Sequence, residues 1–143
     1  MIIQGLTNSF KSQILQGVQD LSTDVLKIAL YTGNATLGPT TTVYTATGEV
    51  TGTGYTAGGN TLTGASINTG TETLYNPAVI YVNFNNVTWT PAAFTARGAL
   101  IYNSTKGNKS IAVIDFGADK TCTSTFTIAM PANTSTAALL RFN

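Results

Sequence analysis

The chain has 143 residues, only 9% of them charged, and a formal net charge of +1. That length predicts a single domain over residues 1–143, able to bury roughly two-thirds of its unfolded surface. Seven Lys and Arg scattered along the chain argue against the clustered basic surface of a nucleic-acid binder, and no apolar run approaches the ~20 residues of a membrane-spanning helix.

Leu6, Phe10, Ile14 and Val18 recur every fourth residue, which predicts one amphipathic helix over about 7–19, capped by Thr7 or Asn8 and weakened at Gly17. Asp24 to Thr32 reads as the first long strand, with Leu26, Ile28 and Leu30 facing a core. A short strand is expected at 42–45 and another at 61–67. Between them Gly52-Thr-Gly54-Tyr-Thr-Ala57 matches the spacing of a dinucleotide fingerprint. That motif needs a helix after it, and the Gly58-Gly59-Asn60 that follows breaks one. Two turns are the expectation there.

Residues 68–77 read as a polar loop and 78–84 as a strand. The sole tryptophan, Trp89, lies beside the break at Pro91 and is expected to fill core space. The central feature is a hairpin. Its apolar runs, Ala99 to Tyr102 and Ile111 to Phe116, flank a polar connection containing Gly107 and Asn108, residues that reverse a chain cheaply. Asp115-Phe116-Gly117 spells a kinase magnesium motif, but the chain has none of the accompanying loops and the triplet reads as a strand end. Asp119-Lys120 reads as a turn. Residues 121–130 read as one strand with Thr121, Thr123, Thr125 and Thr127 on one face, and 137–142 as the last strand. The expectation is a mainly β fold, an antiparallel β-sandwich or jelly roll of about eight strands with one N-terminal amphipathic helix.

Polarity resides in neutral residues, with 27 threonines and 12 asparagines. Hydroxyls and amides cost less to desolvate than charges, so such faces favour assembly with another protein. The single cysteine, Cys122, rules out an internal disulfide and a CxxC pair. Without a basic start and apolar core for a signal peptide, the chain is expected to be made in a reducing cytosol. There is no histidine, which removes the commonest general base and metal ligand. The six carboxylates are Asp20, Asp24, Glu49, Glu72, Asp115 and Asp119, and no pair is singled out for acid–base work. No enzyme activity, cofactor or metal is expected.

Phe10 to Thr32, the stretch Gly52-Thr-Gly-Tyr-Thr-Ala-Gly-Gly-Asn-Thr-Leu-Thr-Gly64, and the hairpin Thr95 to Gly117 resemble a family of small virion structural proteins of tailed bacteriophages. The resemblance implies a capsid cement or decoration protein, bound as a dimer or trimer to a shell of major capsid protein in the virion. It brings no catalytic residue. The alternatives are a tail, neck or fibre component, or a glycan-binding module that would display Tyr55, Tyr81, Trp89 or Tyr102. The apolar residues near the termini, Ile2, Ile3, Leu140 and Phe142, are the candidate interface, lying on arms across neighbouring subunits. On that reading residues 1–5 are dispensable for folding.

Overall fold

The computed structural model describes residues 1–70 and 79–142. Most of the loop expected at 68–77, the start of the strand at 78–84, Glu72 and Asn143 lie outside the described residues. The fold is mainly β, with antiparallel sheets and one short helix.

The hairpin is the longest pairing. β7 (Phe94–Asn103) and β8 (Lys109–Cys122) run antiparallel from Asn103 opposite Lys109 to Phe94 opposite Cys122. Asn103, fully buried, closes the turn by accepting the Lys106 N–H at 3.1 Å. β2 (Leu26–Tyr31) pairs with the other edge of β7. β1 (Gly5–Leu6) joins β8 and β3 (Asn60–Thr61) joins β2, giving the sheet order β1-β8-β7-β2-β3. A second sheet has the order β10-β5-β4, from β4 (Ser66–Thr69), β5 (Ile80–Asn83) and β10 (Leu140–Phe142). β6 (Val87–Trp89) and β9 (Phe126–Ile128) pair separately.

Several expectations need correction. Asp119-Lys120 is not a turn, because β8 continues to Cys122. The irregularity falls earlier. Gly98 opposes Asp115 and Ala96 opposes Lys120, so Arg97 faces the four residues 116–119. The Arg97 Nε–Asp115 Oδ1 pair at 2.9 Å spans this bulge. Residues 121–130 are divided between the end of β8 and β9. Residues 42–45 form no strand and meet the sheet through a bridge from Val43 to Lys109 and the stacking of Tyr44 on Tyr102. The helix, α1 (Asn8–Leu15), is four residues shorter than expected at its far end. Gly17 takes a left-handed φ of 68°, open to glycine at little cost, and turns the chain before Val18 can complete the stripe. Thr7 is the cap, its Oγ1 accepting the Phe10 N–H at 3.3 Å.

Both faces of β2 are buried. Leu26, Ile28 and Leu30 enter a large core with Phe10, Trp89, Phe94 and Phe126 that draws on all three sheets. Ala29 and Tyr31 enter a second, smaller core with Ile2, Leu37, Leu100 and Val113. The alternation in the sequence therefore marks two cores here, not a wet and a dry face.

Candidate interaction surface

β6 and β9 are a continuation of the central hairpin. Thr88 opposes Thr127 and Trp89 opposes Phe126. The Ala92 N–H donates to the Ser124 carbonyl at 2.8 Å, and Phe94 then opposes Cys122 and Thr95 opposes Thr121. Residues 87–96 and 120–128 thus form one bent antiparallel ribbon. Its inner side carries Trp89, Phe94 and Phe126, all buried. Its outer side carries threonines in cross-strand pairs, with Oγ1–Oγ1 distances of 3.0 Å for Thr88–Thr127, 3.2 Å for Thr90–Thr125 and 2.7 Å for Thr95–Thr121. All six are exposed, as is Thr123. The regular alternation at 121–127 is therefore an exposed stripe. Its partners at 88, 90 and 95 carry no comparable sequence signal.

The underside is aromatic. Tyr55 lies 6.2 Å from Trp89, nearly parallel, and meets Phe94 edge-on at 5.7 Å. Phe126 completes the layer against Trp89 at 6.1 Å and Phe94 at 5.2 Å. The Tyr55 hydroxyl accepts the Leu30 N–H at 2.8 Å and donates to Glu49 Oε1 at 2.6 Å. Glu49 is 9% exposed. Its Oε1 also accepts the Gly58 N–H at 2.7 Å, and its Oε2 accepts the Tyr44 hydroxyl at 2.6 Å.

Burial, followed by the hydrogen bond to the Glu49 carboxylate, pushes the Tyr44 and Tyr55 phenols above their ordinary value. Burial, followed by the charge on Glu49, does the same to Tyr31 and Tyr102. The folded chain therefore keeps protons that the unfolded chain releases near pH ~10. This contribution is fully present below that pH and is lost as pH rises beyond it. The urea midpoint should hold steady to about pH 9 and fall from about pH 10 upward. A midpoint unchanged to about pH 12 would contradict the tyrosine arrangement.

The four candidate interface residues separate. Ile2 is 8% exposed, within the smaller core, and the adjoining Ile3 N–H donates to the Leu37 carbonyl at 2.9 Å. Leu140 is 2% exposed in the larger core, Ile3 is 50% exposed and Phe142 is half-buried. Phe142 lines an open apolar groove of about 570 Å³ with Phe10, Ile14, Ile67, Ile80 and Val82. The burial of Ile2 ties the N-terminal residues to the fold. Ile2→Ala should cost about 2–4 kcal/mol, whereas Ile3→Ala should stay within ~0.5 kcal/mol, both read from denaturant midpoints.

The remaining motifs serve structure. Residues 52–57 precede no helix, and Thr53 bridges to Ala93. Asp24 Oδ2 accepts the Asp20 N–H at 2.9 Å and an Asn103 amide N–H at 2.7 Å. Asp115 pairs with Arg97. Among the described residues no group of three or more Cys, Asp or Glu could hold a metal, and no helix is long and apolar enough to cross a membrane. Trp89 and Tyr102 are buried, and Tyr55 and Tyr81 half-buried.

Comparison with known proteins adds no family: no family model, no curated protein and no solved structure matches the chain.

Proposed function

We propose that this chain is a non-enzymatic structural protein of a tailed-phage virion, a cement protein that docks on the shell of major capsid protein as a dimer or trimer. In this reading the sheets pack as a sandwich of jelly-roll type around the larger core. The observation that carries it is the row of threonine pairs on the exposed side of the ribbon. Paired hydroxyls satisfy one another, so covering them strands fewer polar groups than covering charges would. Methyl groups between them supply apolar contact. Contacts of this kind persist in salt that would screen ion pairs. The resemblance of residues 10–32, 52–64 and 95–117 to small virion proteins supports the particle. The half-buried and buried aromatics give a glycan module no exposed aromatic among the described residues.

Co-sedimentation with capsid shells of the phage that carries the chain tests the reading. Binding should change little between about 0.1 M and about 1 M salt. Thr127→Lys places a charge on the stripe, beside Thr88, without entering the core. It should leave the denaturant midpoint within ~0.5 kcal/mol of the parent and weaken shell binding by about tenfold or more. Unaltered binding by a folded Thr127→Lys chain would reject the threonine face as the docking surface.

A further inference from the structure

Glu49 is buried, and among the described residues neither ion pair includes it. A carboxylate kept from water without a cation is costly unless several donors satisfy it. Here three do, and they divide into two branches. Oε2 holds Tyr44, whose ring stacks on Tyr102 at 4.8 Å, over the smaller core. Oε1 holds the Gly58 N–H and the Tyr55 hydroxyl. The Tyr55 ring bears on Trp89 and Phe94, the inward residues that alternate with Thr88, Thr90 and Thr95. Packed side chains transmit displacement because interiors have few voids to absorb it.

We propose that Glu49 is a positioning residue for the threonine face, acting through Tyr55 on Trp89 and Phe94. This rests on the reading of that face as the docking surface. The Oε1 branch holds the ribbon from beneath and keeps its hydroxyl pairs in register for a partner. The Tyr44 branch packs on the opposite side of the main sheet and meets the first at Gly58, whose carbonyl accepts the Tyr102 hydroxyl at 2.8 Å; the Tyr44 hydroxyl itself takes no part.

The test uses four variants of the whole chain: Glu49→Leu, Glu49→Gln, Tyr55→Phe and Tyr44→Phe. Amide hydrogen exchange follows β6 and β9, fluorescence follows the sole tryptophan, and co-sedimentation measures shell affinity. Tyr55→Phe, and Glu49→Leu where it folds, should speed exchange in β6 and β9 by about tenfold, shift Trp89 emission to the red and weaken shell binding. Glu49→Gln keeps an amide oxygen for Tyr55 and Gly58 and should restore all three. Tyr44→Phe should leave all three as in the parent, whatever it costs in global stability. The proposal is overturned if Tyr55→Phe leaves β6, β9 and Trp89 unmoved, or if Tyr44→Phe moves them equally. Failure of the docking reading is separate: there Thr127→Lys binds shells normally while the exchange and emission responses to Tyr55→Phe persist.

Discussion

Gly59→Ala should abolish the native fold or lower its stability by about 3–5 kcal/mol, near the top of the range for single substitutions. Gly59 has a φ of 68°, and a Cβ there would run into the Ile28 carbonyl oxygen and lie 2.7 Å from the Ala29 Cα. The left-handed conformation alone costs a non-glycine residue about 1–2 kcal/mol, and overpacking adds about 1–3 kcal/mol. The obstacle is the backbone of β2, held between β7 and β3 in the main sheet and buried on both faces, so it has nowhere to retreat. Gly107→Ala is the comparison. Gly107 has a similar φ of 69°, but a Cβ there meets nothing within 4 Å. It should cost only the conformational part, about 1–2 kcal/mol. Urea midpoints of the two variants separate the steric effect from the conformational one. Equal losses would show that the backbone at Gly59 does not lie against β2.

Glu49→Leu should be the second severe substitution, at about 3–5 kcal/mol. Leucine fills similar space but leaves the Tyr44 hydroxyl, the Tyr55 hydroxyl and the Gly58 N–H without their acceptor. A buried donor stranded in this way costs about 1–3 kcal/mol, reduced wherever a phenol can turn to another acceptor. Glu49→Gln still accepts through its amide oxygen and should cost about 1–2 kcal/mol. Thermal or urea unfolding checks the order. A Glu49→Leu chain as stable as the parent would mean that the carboxylate satisfies nothing.

The parts that were legible in the sequence are those whose signal is local. The hairpin could be read because its apolar runs and its Gly107-Asn108 turn lie within one stretch. β2 could be read from Leu26, Ile28 and Leu30, and the position of Trp89 from its bulk. The shortened helix was only half legible: Gly17 was visible as a weak point, but four-residue spacing carried the expectation on to Val18. The threonine face needed tertiary structure. Thr121, Thr123, Thr125 and Thr127 announce a stripe, while their partners lie 26 to 39 residues away. They become neighbours only because the ribbon bends at 90–91 and then resumes its pairing. Glu49 gave no sign at all. A lone carboxylate in a Gly- and Thr-rich stretch looks like any surface residue until Tyr44, Tyr55 and Gly58 close around it. Ile2 was misleading for the same reason, since two apolar residues carry no periodicity and read as an arm, whereas the fold uses the first as core.

The most direct test of the proposed docking is a residue-resolution image of the particle proposed to carry this chain. Under that proposal Thr88, Thr90, Thr95, Thr121, Thr125 and Thr127 should lie against the major capsid protein, with the tyrosine–Glu49 cluster behind them on the side away from the shell. A particle in which this ribbon faces open solvent, while another surface of the chain meets its neighbours, would contradict it.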